Sequence, residues 1–296
     1  MNMTLCHLAT YPDDKVRALF GLTPAALGTL LEAALPELLR GRQELQQSRP
    51  GRKRAWGGGR KRGLKPYQEV LLTLLYLRHN VSHAVVGQMF GVSADTSENT
   101  FHEVVAVLRD VCPANRWNAQ KKWNKSEPSW KPDELDQIIV DSFETPVSRP
   151  SLPETQRRLY SGKKKRHTLK SQVVSAPSGE ILDIDAGHRG PLSDKRLYEQ
   201  SAVEQQYPQA KKQGDRGYQG VAGMSVPHKR PRGGALTEAQ RQENRAHASV
   251  RVHVEHGIRR VKGFRIVRDE YRLALGLFPM VASVVVGLVQ LGRIVG

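Results

Sequence analysis

Cysteine is almost missing from this 296-residue chain. Cys6 and Cys112 are the two present, with no CxxC pair, which excludes a disulfide framework and a cysteine-built zinc site. Acid is scarce as well: 29 Asp and Glu face 46 Lys and Arg, leaving a formal charge of +17. Such an imbalance implies a polyanionic partner, with nucleic acid the first candidate and an anionic membrane surface the second. The opening residues MNMTLCHLATYPDDKVRALF lack a basic stretch, an apolar run and a small-residue cleavage site, so no secretion signal is read there and a cytoplasmic protein is expected. Long uncharged runs are also lacking, with one exception. Leu273 to Gly292 approaches the length of a membrane span, but it contains Pro279, Ser283 and Gln290, and a buried C-terminal helix is the favoured reading.

What is present divides by composition. Residues 1–47 read as a helical segment, with Thr23 as N-cap and Pro24 at the first helical position. Residues 48–66, crowded with Arg, Lys and Gly, read as a basic flexible arm in which Arg52, Lys53, Arg54, Arg60, Lys61 and Arg62 are candidate phosphate contacts. Residues 67–112 return to helical spacing. There SHAVVGQMF, a break at Gly91-Val92-Ser93 and a second helix rich in Ser, Thr, Asp and Asn outline a helix-turn-helix. Asp95, Thr96, Ser97, Asn99, Thr100 and His102 are the candidates for the major groove; a plain helical hairpin is the competing reading. Residues 113–134 read as a polar linker, and 135–296 as an α/β domain: three strands, a helix, two weak strands, a long helix and the C-terminal helix.

Three acids stand out in the last region. Asp141 ends the β-branched run Ile138-Ile139-Val140, which marks a central strand, where a carboxylate is costly unless paired or bound to a metal. Asp215, in GDRGYQG, sits where a strand opens into a turn, the position at which sites collect in open α/β sheets. Glu255 is the one acid of SVRVHVEHGIRRVKGF. At about 100° per residue it falls within about 40° of Arg251 and Lys262, bordering the stripe of Val250, Val254 and Val261. Asp183 and Asp185 alternate with apolar residues as on a half-exposed strand and are left out; Asp194 and Glu144 are possible supports of the site. His247, His253 and His256 share no face and have no zinc spacing.

The stretches IIVDSFETPVSRP, YSGKKKRHTLKSQVV, GDRGYQG and RVHVEHGIRRVKGF resemble the catalytic motifs of DDE transposases of bacterial insertion sequences, in the insertion sequence five group. The resemblance implies a ribonuclease H-like mixed sheet flanked by helices, preceded by an all-α helix-turn-helix domain. It implies Asp141, Asp215 and Glu255 as catalytic metal ligands for two Mg²⁺ ions, with Mn²⁺ substituting, and Arg251 and Lys262 as phosphate contacts. It also brings in Lys163, Lys164, Lys165, Arg166 and His167, a run that by composition reads equally well as a solvated turn. The signature's Tyr, three residues before the Arg, is Ala248 here. The expected activity is binding of insertion-sequence ends followed by metal-dependent strand cleavage and strand transfer; the expected partners are transposon-end and target duplex DNA and a second or further copy of the chain, in a bacterial cytoplasm at the nucleoid. A nuclease of the same fold that does not join strands, or a repressor derived from a transposase, is the alternative.

Overall fold

The computed structural model describes residues 11–48, 62–124 and 130–296. Five helices come first: α1 (Asp13–Phe20), α2 (Pro24–Gln47), α3 (Pro66–His79), α4 (His83–Phe90) and α5 (Ala94–Val111). Thr23 caps α2 by accepting from the Ala26 N–H, with Pro24 at its first position. The break between α4 and α5 follows from local chemistry. Gly91 takes φ 72°, which ends α4, and Ser93 accepts from the Thr96 N–H and starts α5.

A sixth helix, α6 (Arg116–Asn124), occupies part of the stretch expected to be a linker over 113–134, and it packs on the C-terminal helix. The sheet follows: β1 (Gln137–Pro146), β2 (Tyr160–Ser161), β3 (Arg166–Ser175), β4 (Ile181–Arg189), β5 (Lys211–Gly214) and β6 (Met224–Ser225). A short helix, α7 (Pro153–Leu159), precedes β2, and α8 (Asp194–Gln200) and α9 (Val203–Gln206) lie between β4 and β5 where a single helix is expected. The long helix α10 (Glu238–Val261), a short α11 (Arg265–Arg268) and α12 (Phe278–Ile294) complete the chain.

Across the sheet the order is β4-β3-β1-β5-β6, with β2 also pairing with β3. β3 is antiparallel to β1 and β4, whereas β5 is parallel to β1 and β6 to β5. This is a mixed sheet flanked by helices, the ribonuclease H-like arrangement, and β1 is central in it as its apolar run requires. The two faces of β1 are separated by the strand's period of two. Ile138 and Val140 pack with Tyr198, Tyr207 and Tyr218 on the α8–α9 side; Ile139 and Phe143 join the larger core on the α10 side.

That larger core does not stop at the helical half. Phe20, Leu30, Leu72, Phe101 and Leu108 belong to the same buried cluster as Val173, Val261, Val285 and Leu288. The helical segments and the sheet therefore share one interior. The apolar run Leu275–Ile294 is long enough to cross a membrane. Here its Val281, Val284, Val285 and Leu288 are buried against α2, α5, α6 and β4.

Candidate active site

Register decides the first half of the site. Val140 pairs with Gly214 in the parallel β1–β5 ladder, so Asp141 and Asp215 are the next residues on neighbouring strands. Asp215 leaves the ladder by capping the turn Arg216–Tyr218, where its Oδ1 accepts from the Gly217 N–H at 2.8 Å. Asp141, on the Ile139 face of β1, points toward the α10 side and accepts from the Ser142 N–H at 2.7 Å. Its carboxyl is pushed up to about 6 by burial first, with Asp215 and Asp194 adding repulsion, against the pull of the Ser142 N–H and Arg251.

A cavity of about 500 Å³ opens on this face, lined by Asp141, Ser142 and Phe143 from β1 and by Glu255, Ile258, Arg259 and Lys262 from α10 and its C-cap. Glu255 thus reaches the cavity that Asp141 lines, but its side chain is 56% exposed and held by Arg251 at 3.8 Å. It lies on the solvated rim rather than along the edge of the core. Lys262 is half-buried, its Nζ 5.2 Å from the centre of the Phe143 ring. Its ammonium is lowered by burial and then by Lys164, with Asp141 pulling the other way. The turn of the β2–β3 hairpin, which carries exposed Lys163, Lys164 and Lys165, thereby reaches the same electrostatic neighbourhood. Arg166 pairs instead with Glu270 at 3.6 Å, and His167 meets the Tyr160 ring edge-on.

Asp194, set aside as a possible support, starts α8 behind Asp141. Its Oδ1 accepts from Ser142 Oγ at 2.6 Å and from the buried Lys170 Nζ at 3.1 Å. A methyl group at Gly217 would stand 2.3 Å from Asp194 Oδ2 and 2.9 Å from Asp215 Oδ1, so both carboxylates converge on this glycine and a larger residue would make them shift. Ser142, Lys170, Gly217, Arg259 and Arg268 escaped the sequence reading. The period of two would have placed Ser142 opposite Asp141, whereas Lys170, Arg259 and Arg268 carry no local signal. Glu144 accepts from Thr168 Oγ1 and stays within the β1–β3 pair. Asp183 is held by Asn115, and Asp185 by His188, both on β4 beyond β3.

In the helix-turn-helix, exposure divides the expected groove residues. Asp95, Thr96, Asn99 and His102 are exposed. Ser97 and Thr100 are buried, and Ser97 Oγ lies 3.1 Å from Nδ1 of His83, which stacks on Tyr76. Ser97 thereby ties α5 to α4, and neither of these buried side chains is presented to a groove. Arg62, a candidate phosphate contact, pairs with Glu69 and Glu103, each at 2.9 Å, alongside Arg42. Arg52, Lys53, Arg54, Arg60 and Lys61 lie outside the described residues.

Residues 140–290 match the family described as DDE superfamily endonuclease. The chain belongs to that family. The stretch 62–113 matches the helix-turn-helix of DDE superfamily endonuclease, the second element of the same architecture. Among relatives of the endonuclease, the probable transposase for insertion sequence element IS702 of Microchaete diplosiphon is 28% identical over 78% of this chain and 82% of its own length. The putative transposase for insertion sequence element IS112 of Streptomyces albus G is 25% identical over 84% of each chain. No solved structure matches the chain.

A divalent cation is the general partner of such endonucleases, and the donor chemistry here fits one. Asp141 and Asp215 are hard oxygen donors on neighbouring strands, and the Asp141 carboxyl is raised first by burial and then by the charges of Asp215 and Asp194, a repulsion that a cation would relieve. Among the described residues no three His, Cys, Asp or Glu side chains already form a ligand set, and the Glu255 carboxylate lies 3.8 Å from Arg251.

Proposed function

We propose that this DDE endonuclease is the transposase of an insertion sequence, binding the element's ends and catalysing strand cleavage and strand transfer. One observation carries the reading most: the β1–β5 register sets Asp141 beside Asp215, and Asp141 lines a cavity that Glu255 also lines from α10. Asp141, Asp215 and Glu255 would hold Mg²⁺, with Mn²⁺ a natural substitute for oxygen donors. The bound ions would supply Lewis-acid activation and charge neutralisation for phosphodiester chemistry. The chain's own part is to orient the strand. Lys262, Arg259 and the Lys163–Lys165 turn offer cations to the scissile phosphate and its neighbours, while Ser142 and Asp194 fix Asp141's strand from behind. The exposed Asp95, Thr96, Asn99 and His102 of α5 would read the end sequence, the basic arm would grip phosphate, and two or more copies would assemble on DNA in the bacterial cytoplasm.

The test is nicking and gel retardation on one preparation. Asp141→Asn, Asp215→Asn and Glu255→Gln should each abolish cleavage in Mg²⁺ while leaving binding largely intact, because affinity rests on cations rather than on metal ligands. A variant that cuts near the wild-type rate loses its place in the triad. Cleavage without joining of a supplied target would favour the nuclease alternative.

A further inference from the structure

A second cavity, of about 430 Å³, lies behind the first and is lined by Arg17, Arg78, Arg260 and Arg293 together with Gly21, Thr23, Gly263 and Phe264. Among the described residues no Asp or Glu lines it. Arg293 has a partner elsewhere, in Glu180 at 3.0 Å. Among the described residues no carboxylate pairs with Arg17, Arg78 or Arg260. Arg78 makes the point sharpest. Arg42 and Arg116 are comparably buried, and each has a glutamate, Glu69 or Glu180. Arg78 has instead the face of the Phe264 ring, 5.5 Å away. Its guanidinium is lowered by burial and then by repulsion from Arg268. A half-buried cation with no counter-charge is costly, so a fold that retains one leaves room for an anion from outside.

The identity of that anion follows from what adjoins the cavity. Gly263 lines both cavities, and Arg268 of the first repels Arg78 of the second. A methyl group at Gly263 would stand 2.8 Å from Arg78 Nη1, so glycine keeps the partition between the two thin. A nucleic-acid strand carries a phosphate about every 3.4 Å of helix axis. Because the two cavities share Gly263, a strand whose scissile phosphate enters the Asp141 cavity would bring a neighbouring phosphate toward Arg78. We infer that Arg17, Arg78 and Arg260 form a pocket for a backbone phosphate of the DNA held at the active site, an inference that rests on the DNA-cleaving reading above. The pocket is assembled from α1, α3 and α10, so it ties the helical half to the substrate as well as to the sheet.

The experiment measures how affinity for a duplex of arbitrary sequence depends on salt, for the wild-type chain and for Arg17→Gln, Arg260→Gln, Arg78→Gln and the triple variant. Arg17 and Arg260 lie at the surface, so their variants keep the test valid if Arg78→Gln folds poorly. Arg109→Gln, already neutralised by Asp110, is the control. The triple variant should flatten the log–log salt slope by about 0.9, the contribution of one neutralised phosphate. Each surface single should flatten it by part of that amount, with the control unchanged. Wild-type slope and affinity in the triple variant would overturn the inference while leaving the endonuclease reading untouched. Inorganic pyrophosphate provides the second arm. Should it bind the wild type and not the triple variant while duplex affinity stays equal in the two, the cavity takes a small free anion and the DNA assignment fails. A wild-type chain that binds no duplex at all would instead remove the functional reading on which the inference stands.

Discussion

Asp141 is held in a state that costs stability at neutral pH. Its carboxyl, ordinarily near 3.8, is pushed up to about 6 by burial and by the charges of Asp215 and Asp194. Between these values the folded chain keeps a proton that the unfolded chain has lost, so stability is greatest below the lower value and falls as pH rises through about 6. The gap corresponds to at most roughly 3 kcal/mol at neutral pH. Asp141→Asn should therefore raise the melting temperature of metal-free protein at pH 7 and leave it nearly unchanged at pH 4. Millimolar Mg²⁺ should raise the wild-type melting temperature at pH 7 and not that of the variant. Thermal denaturation with and without chelator measures both; an Asn variant no more stable than wild type at pH 7 would mean that neighbouring groups already compensate the charge.

At the scale of elements, the placement of α10 depends on two glycines. A methyl group at Gly257 would lie 2.4 Å from the Gly179 carbonyl oxygen, and one at Gly179 would lie 2.1 Å from the His253 carbonyl oxygen. The helix thus rests backbone to backbone on the β3–β4 turn, and Glu255 sits on the turn of helix between those contacts. Gly257→Ala must push α10 away from the sheet, at a cost of about 1 to 3 kcal/mol for overpacking. Cleavage should fall by at least about tenfold, equivalent to about 1.4 kcal/mol at the transition state, while duplex affinity changes little. Single-turnover nicking at saturating DNA reads this directly. A full rate there would show that the helix tolerates displacement and that Glu255 needs no fixed approach to Asp141.

The whole molecule is bound together by α12. Its Val284, Val285 and Leu288 are fully buried, and it touches α2, α5, α6 and β4, so helical half and sheet meet on one helix. Gly287 allows the closest approach: a methyl group there would lie 2.1 Å from the Cys112 carbonyl oxygen, at the end of α5. Leu288→Ala should destabilise both halves together by about 2 to 5 kcal/mol. In urea, far-UV circular dichroism and the fluorescence of Trp117, Trp123 and Trp130 should shift to the same lower midpoint. Two separated transitions would restore the picture of independent units joined by a linker.

Local pattern was sufficient for much of this. The run Ile138-Ile139-Val140 marks a buried strand in any context, Thr23 and Ser93 announce their helices, and the spacing of Arg251, Glu255 and Lys262 places them near one stripe, because period and capping depend on neighbours within a few residues. Which strand pairs with which does not. The register that sets Asp141 beside Asp215, the contact of Ser97 with His83, the pairing of Arg62 with Glu69 and Glu103, and the meeting of Arg17, Arg78 and Arg260 around one cavity all join residues apart in the chain. A helix wheel gave Glu255 a direction but could not say that α10 would leave it 56% exposed and tied to Arg251. Exposure is a property of what packs around a side chain, and only the assembled core supplies that.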